Sequence, residues 1–183
     1  MKISISTLNA LIPWVANKND VRDYLRGIHV TKAGHKCRMT ASNGNAVATS
    51  EWEDHEDSAD YDVIVPVDNN FKPRGEWADL RHIRDDDYQL RDRQMWMEFT
   101  LTGAKYPQVH RCWPDGDSPT YTPIDPALFG LIAKTCAAQK VNTRRTETWP
   151  AARGLFFRAG EVRGYIAGLN IKEPTARPEW EEA

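Results

Sequence analysis

The chain has 183 residues, 40% of them hydrophobic, which is enough for one compact domain, or one and a half small ones, to bury a core. Its 24 basic and 26 acidic side chains give a formal net charge of −2. This excludes a chain that coats nucleic acid by bulk charge but allows a locally basic face. The mean hydropathy is −0.64 and there is no long apolar run, so the sequence contains no candidate membrane-spanning helix.

The N-terminal segment, residues 1–6, alternates as a strand does and lacks the apolar block of a signal peptide. We therefore expect a cytoplasmic protein. The three cysteines, Cys37, Cys112 and Cys136, are odd in number and widely spaced. They form no metal-binding or disulfide pattern and are expected to be buried, reduced thiols.

The first helix is predicted at Thr7–Ala16, with Thr7 as its cap. Its apolar residues follow the i, i+3, i+4, i+7 spacing of one helical face, and they are Leu8, Leu11, Ile12 and Val15. Pro13 lies inside this segment and removes a backbone donor, so we expect a short or kinked helix.

Strands are predicted next, at Tyr24–Thr31, Cys37–Ser42 and Asn45–Trp52, with a hairpin turn at Asn43-Gly44. Asparagine and glycine both tolerate the positive φ that such a turn requires. The acidic run Glu51–Asp60 is predicted to be a solvated loop, because like charges at this density repel one another.

Further strands are predicted at Tyr61–Pro66 and Met95–Thr102, with only weak alternation at Asp79–Arg93 and an irregular, proline-containing segment at Tyr106–Ser118. A second helix is predicted at Asp125–Lys140.

Asp125 is the expected N-cap of this second helix, and Pro126 occupies its first position. Two strands follow, at Gly154–Arg158 and Val162–Leu169. Two helices with a surplus of antiparallel strands indicate an α+β fold.

Five segments, in chain order, resemble the central domain of the bacterial sliding clamp, the β subunit of DNA polymerase III. Asp20-Val21-Arg22 resembles the family's Asp-Val-Arg, and Ala41–Ala46 resembles Ala-Thr-Asp-Gly-His-Arg. The other three segments are Asp62–Pro66, similar to Ser-Val-Ile-Val-Pro, Phe99–Pro107, similar to Lys-Leu-Val-Asp-Gly-Arg-Phe-Pro, and Val109–Pro114, similar to Tyr-Arg-Arg-Val-Leu-Pro.

The resemblance implies a sliding-clamp-like α+β fold, with antiparallel sheets and two helices on one side. It predicts a clamp-like domain at residues 1–114, a helix-and-strands half unit packed on it at 115–171, and a flexible tail at 172–183. The family has three such domains in one chain, so we expect a reduced phage or mobile-element relative. The resemblance then implies the cytoplasm of a bacterial or phage-infected host. The helix that the family has after the strand ending at Pro66 is absent or eroded here.

In this family a hydrophobic groove on the central domain binds short peptides of polymerases, clamp loaders and repair factors. The corresponding residues are Leu25, Ser42, Gly44, Asn45, Ala46, Val47, Pro107, Arg111 and Cys112, with Ile166 and Leu169 on the far side. Asn45 and Ala46 stand where the family has His and Arg, so a positive edge is lost. The alternative interpretation is that the apolar members are ordinary core and Arg111 is an ordinary surface ion.

The family's ring is lined by helices whose basic residues meet DNA phosphates without reading sequence. The candidates here are Lys18, Arg22, Lys134, Lys140, Arg144 and Arg145. A solvated helix surface would explain the same cations, and the first predicted helix is nearly uncharged. A ring would require a homo-oligomer, because one and a half domains cannot encircle a duplex.

An enzyme is not expected. The acidic runs Glu51–Asp60 and Asp85–Asp87 could suggest a metal-dependent nuclease, but consecutive carboxylates on a loop rarely converge on one ion. There is no HExxH, GxSxG or P-loop pattern, so we expect neither catalytic residues nor metal nor cofactor.

The resemblance therefore implies a non-catalytic DNA replication accessory protein, a processivity factor that binds double-stranded DNA and peptides of a polymerase or clamp loader. The alternative is a clamp mimic that binds the polymerase, the clamp loader or the host clamp and modulates replication without encircling DNA.

Overall fold

The computed structural model describes residues 1–56, 59–67, 72–94, 96–101, 103, 105–109, 123–143, 146–151 and 153–169. These ranges contain the helices α1 (Ile5–Leu11) and α2 (Pro126–Ala138), and two 3₁₀ turns at Ile12–Trp14 and Asp23–Arg26. The strands are β1 (Lys2–Ser4), β2 (Gly27–Ala33), β3 (Lys36–Ser42), β4 (Ala46–Glu53), β5 (Tyr61–Pro66), β6 (Trp77–Arg84), β7 (Asp87–Arg91), β8 (Trp96–Thr100), β9 (Glu147–Ala151), β10 (Gly154–Ala159) and β11 (Val162–Ala167).

The strands form two antiparallel sheets. The first has seven strands in the order β5-β2-β3-β4-β11-β10-β9, and the second has four in the order β1-β6-β7-β8. The predicted α+β class is confirmed. β4 and β11 come from the two predicted units, and their pairing makes the larger sheet continuous, from Ala46 opposite Ile166 to Thr49 opposite Arg163. The division at residue 114 stays a prediction.

The two helices differ in how well their limits were predicted. α1 begins at Ile5 rather than Thr7, because the Ser4 hydroxyl accepts the Thr7 backbone N–H at 3.4 Å and acts as the cap. It ends at Leu11, and Pro13 continues the chain only as a 3₁₀ turn. α2 has the predicted cap, since the Asp125 carboxylate accepts the Ala127 N–H at 2.9 Å.

The strand predictions fail where tertiary contacts decide the structure. The strand predicted from Tyr24 begins only at Gly27, after the 3₁₀ turn Asp23–Arg26. β9 was not predicted, since it carries Pro150 and four of its five residues are exposed. The weak alternation at Asp79–Arg93 is in fact the β6–β7 hairpin.

Both helices pack on the same face of the seven-stranded sheet, as predicted. α1 contacts β3 and β4, α2 contacts β10, and the two helices contact each other. The fully buried Trp14 connects them: its indole N–H donates to the Thr135 hydroxyl at 2.8 Å, and its ring stacks on Phe157 with centroids 4.8 Å apart. Within the described residues, neither helix is long and apolar enough to cross a membrane.

A buried ion pair lies at the far end of β4. The Lys32 ammonium donates to the Asp54 carboxylate at 3.1 Å and to the Glu56 carbonyl at 2.9 Å, and both charged side chains are buried. The predicted loop at Glu51–Asp60 is therefore wrong in part: β4 extends to Glu53, and Asp54 is inside the protein. Burial by itself raises the pKa of Asp54, but hydrogen bonds from the Glu56 N–H and from Lys32 outweigh it and hold the pKa below its ordinary value.

The variant Asp54→Asn should therefore lower the free energy of unfolding by about 3 kcal/mol, because it removes the buried carboxylate that binds the Lys32 ammonium. Urea unfolding measures this. Glu56→Gln is the matched control, since the Lys2–Glu56 pair is about half exposed (58% and 51%) and its loss should cost less than about 1 kcal/mol.

The same pair predicts a pH dependence. The folded-state pKa of Asp54 lies below its ordinary value of 3.8, so its ionised form stabilises the fold fully above that value and loses this effect as pH falls through the folded pKa. The difference in free energy of unfolding between the wild type and Asp54→Asn should become smaller below about pH 4. A difference that stays constant down to pH 2 would mean that this carboxylate is not ionised in the fold.

Candidate functional site

The seven-stranded sheet has an outer face, opposite the helices, on which the candidate site lies. Side chains alternate between the two faces of a strand. On β4 and β11, Ala46, Ala48 and Ile166 belong to the main core under the helices, whereas Val47 and Tyr165 form a separate cluster on the outer face. The outer face thus has apolar residues of its own, independent of the core.

We call this cluster the apolar patch. Its members are Val47, Val109, Ala151, Phe156, Tyr165 and Ala167. The Phe156 ring contacts Tyr165 with centroids 5.4 Å apart and Trp149 with centroids 6.3 Å apart. The Tyr165 hydroxyl donates to the Arg153 carbonyl at 2.6 Å, so the ring is held in place from its polar end. Val109 reaches the patch from the irregular segment that follows β8.

The Asn43-Gly44 hairpin borders the patch. The Ser42 hydroxyl donates to the Ala46 carbonyl at 2.9 Å and accepts the Gly44 N–H at 3.1 Å, and the Asn43 side-chain oxygen accepts the N–H groups of Asn45 and Ala46. Gly44 has φ +90°, a conformation that favours glycine. These local bonds fix the hairpin geometry.

Arg22 lies against this hairpin. Its guanidinium group donates to both Asp20 carboxylate oxygens at 2.9 and 2.8 Å, and a Cβ added to Gly44 would lie 2.6 Å from its Nη1 atom. The hydrogen bonds from Arg22 lower the pKa of Asp20 to about 2. The predicted phosphate contact of Arg22 thus has an internal competitor, the Asp20 carboxylate.

A cavity of about 580 Å³ lies beside the patch on the same face, and we call it the charged cavity. β2 contributes His29 and Thr31, β3 contributes Arg38 and Thr40, and β5 contributes Asp62 and Ile64. The segment after β8 closes the cavity with Leu101, Gly103, Lys105, Tyr106, Pro107, Gln108 and Val109.

Its walls are held by specific contacts. His29 Nε2 lies 2.7 Å from Asp62 Oδ1, and the His29 ring stacks on Tyr106 with centroids 4.6 Å apart. The Tyr106 hydroxyl is buried and has no hydrogen-bond partner in the part of the chain that the structure describes. Burial raises the pKa of Tyr106, because the ionised phenolate would lose its hydration.

The structure brings together only part of the predicted groove. Ser42, Gly44, Asn45 and Val47 lie at the hairpin beside the patch, and Val47 is nearly buried within it, at 4% exposure. Leu169 is exposed and its N–H donates to the Pro123 carbonyl at 2.7 Å.

Other members lie elsewhere. Ala46 and Ile166 face the core, because side chains alternate along a strand and theirs point to the helix side of the sheet. Their part in a peptide-binding groove stays a prediction. Leu25 is buried in the 3₁₀ turn before β2. Pro107 is exposed and lines the charged cavity, whose lining includes neither Leu25 nor Val47. Arg111 and Cys112 lie outside the described residues.

The predicted DNA-binding cations are spread over several elements. Lys18, Lys134 and Lys140 are exposed, and Lys134 is the only basic residue in α1 or α2. Arg144 and Arg145 lie outside the described residues. The predicted gathering of cations on two helices is therefore not visible in the part of the chain that is described.

Sequence reasoning missed His29, Arg38, Asp62, Lys105 and Tyr106 as members of the site. The available signal was the alternation of β2, β3 and β5, which places polar residues on the outer face of a sheet whose other face is apolar. No group of three metal-binding side chains exists among the residues described.

Comparison with known proteins relates this geometry to solved structures. The DNA polymerase III subunit beta from Pseudomonas aeruginosa matches with a TM-score of 0.64 and 13% identity, over 93% of this chain and 66% of that chain. The same organism's protein is also described as the DNA polymerase sliding clamp. This chain has the sliding-clamp fold.

Two further structures agree. The β chain from Streptococcus pneumoniae TIGR4 matches with a TM-score of 0.64, 10% identity and coverage of 93% and 64%. The β subunit from Thermotoga maritima matches with a TM-score of 0.64 and 11% identity, over 93% of this chain and 65% of that chain. This chain thus spans slightly less than two thirds of these sliding clamps. No family model and no curated protein matches it.

The contact between Arg22 and Gly44 predicts that alanine substitution has different costs in stability at Gly44 and Gly34, both of which have positive φ. Gly44→Ala should be destabilising by about 2 kcal/mol, since alanine is strained at positive φ and its methyl group displaces Arg22. Gly34→Ala is the matched control: Gly34 has φ +58° with nothing within 4 Å of an added Cβ, so only the backbone term of about 1 kcal/mol applies.

Urea unfolding of both variants measures the two costs. Adding Arg22→Ala to Gly44→Ala should restore the share of stability that is lost because the new methyl group displaces the Arg22 guanidinium. Equal losses in the two glycine variants, with no recovery, would show that Arg22 does not lie over the hairpin.

Proposed function

We propose that this protein is a non-catalytic accessory protein of DNA replication, of the sliding-clamp type, that binds short peptide segments of replication proteins. The observation that carries the proposal is the convergence, in a sliding-clamp fold, of three distant segments at the apolar patch. These are the hairpin with Val47, the strand with Tyr165, and the segment with Val109.

The patch suits a peptide rather than a large rigid partner. Its apolar surface adjoins the exposed residues Gly44 and Asn45, and the exposed Leu169 follows two residues after Ala167 of the patch. Large apolar side chains of a peptide can pack there while the peptide backbone stays hydrated. Ordering a flexible peptide costs free energy, so the expected affinity is on the order of micromolar.

A ring around DNA would need more than one copy of this chain. The chain spans about two thirds of the sliding clamps it matches, and a closed ring then depends on self-association with cyclic symmetry. Gel filtration with multi-angle light scattering, with and without DNA, tests this part of the proposal. A strict monomer under both conditions would remove the ring.

The variant Leu169→Asp should weaken binding of a labelled clamp-binding peptide at least tenfold, because it places a charge against the peptide's apolar side chains. Leu169 is 46% exposed, so the fold should tolerate the change. Val21→Asp is the matched control, with Val21 96% exposed and outside the patch, and it should bind as the wild type does. Fluorescence anisotropy measures both affinities.

Val47→Asp provides a second variant at the centre of the patch, with folding checked by circular dichroism because Val47 is nearly buried. Equal peptide binding by Leu169→Asp and the wild type, or no binding by either, would reject the patch as a peptide site.

A second candidate function is a clamp mimic that binds replication proteins without encircling DNA. The observation that favours it is the near absence of charge on the helices: α1 has no basic residue, and α2 has Lys134 alone. Two tryptophans of the four-stranded sheet, Trp77 and Trp96, are 51% and 62% exposed, as expected of residues that contact other proteins.

The two candidates predict different DNA affinities. If the protein is a clamp mimic, its binding to duplex DNA at 0.15 M salt should be barely measurable, because the helices carry so few cations. Lys134→Ala should then change the DNA affinity less than about twofold. A matched control is Lys36→Ala, which removes an exposed lysine from β3. A steep fall of affinity with salt, abolished by Lys134→Ala but not by Lys36→Ala, would instead support a DNA-encircling clamp.

A further inference from the structure

The charged cavity adjoins the apolar patch closely enough for one peptide to reach both. Thr40 lines the cavity, and Ser42, on the same face of β3, lies at the hairpin beside the patch. Two residues of a strand span about 7 Å, so two or three residues of an extended peptide cover this distance. On the facing segment, Pro107 lines the cavity and Val109 belongs to both regions.

The charges in the cavity favour an anion. Arg38 and Lys105 are cationic, and the one carboxylate among the described lining residues, Asp62, lies 2.7 Å from His29. Lys105 is exposed and has no ion pair in the described part of the chain. It is therefore the cation most accessible to a ligand.

Arg38 lines the cavity but is held by an ion pair with Glu51, which is not among the cavity's lining residues. Its Nε and Nη2 atoms both lie 2.8 Å from Glu51 Oε1, and Arg163 also pairs with Glu51 through the other carboxylate oxygen. Two guanidinium groups thus share one carboxylate. A guanidinium has five N–H donors, so Arg38 retains donors for a second acceptor.

We propose that the charged cavity is a subsite for an acidic side chain, aspartate or glutamate, two or three residues away from the apolar side chains that a bound peptide places on the patch. Lys105 is the principal cation of this subsite and Arg38 the second. The inference rests on the proposed function, because it assigns to the same peptide a second anchoring point.

The His29–Tyr106 stack gives the subsite a preformed wall. Tyr106 is adjacent to Lys105 in the chain, and its ring is held by stacking on His29 while its hydroxyl is buried near Ser42. The backbone that carries Lys105 is thereby fixed relative to β2. A charge held in place in this way loses less conformational entropy on binding than one on a free loop.

A double-mutant cycle between protein and peptide tests the subsite. The probe is a labelled peptide with two adjacent large apolar residues and glutamate three positions away, compared with the same peptide carrying glutamine there. The wild type should bind the glutamate peptide about fivefold tighter than the glutamine peptide, and less selectively in 0.5 M salt.

In Lys105→Ala this preference should fall to about twofold or less, while the affinity for the glutamine peptide stays within twofold of the wild type. Lys36→Ala is the matched control, because Lys36 is an exposed lysine outside the cavity lining, and it should keep the full preference.

The outcomes separate the two proposals. If Lys105→Ala keeps the wild-type preference, or if the wild type shows none, the subsite is rejected while the apolar patch stands. If the wild type binds neither peptide, or Leu169→Asp binds both as the wild type does, the proposed function is rejected and the subsite with it.

Discussion

The close approach of β4, β10 and β11 at Gly164 is the constraint on which the rest of the structure depends. A Cβ at this position would lie 2.3 Å from both the Phe157 ring and the Val47 carbonyl oxygen. Because glycine leaves this space free, the Phe157 ring lies across the strand and stacks on Trp14, whose indole N–H bonds Thr135 of α2. One residue without a side chain thus lets the joint between the two halves of the sheet support both helices.

The pairing of β4 with β11 also gives the sheet two different faces at this point, one in the core and one that carries the apolar patch. Ala46 and Ile166 are opposite each other and fill the core, whereas Val47 and Tyr165 are opposite each other and lie outside it. The outer residues pack in a small cluster of their own, because neither α1 nor α2 lies on that face. A surface that is apolar at the joint and charged toward β2 and β5 is suited to ligands that have both kinds of side chain.

Electrostatics distinguish this chain's faces as clearly as packing does. The buried Lys32–Asp54 ion pair connects β2 to the residue that follows β4. The helices carry Lys134 alone, while Arg38, Glu51 and Arg163 form a network on the outer sheet face. Charge is therefore concentrated where we propose that peptides bind, and it is sparse on the helix surface that would face DNA in a clamp.

The sequence alone determined the features that local chemistry specifies. The Asn43-Gly44 turn, the Asp125 cap and the strand Tyr61–Pro66 all follow from a few adjacent residues, and the order of five short motifs was enough to predict the sliding-clamp fold. The tertiary structure decided what depends on partners far along the chain. It placed Asp54 in the core beside Lys32, and it turned Ile166 inward. Pairing with β10 made a strand of the exposed residues of β9. Side chains from β2, β3 and β5 meet Lys105 and Tyr106 only because sheet register brings distant segments together, and no local pattern encodes that register.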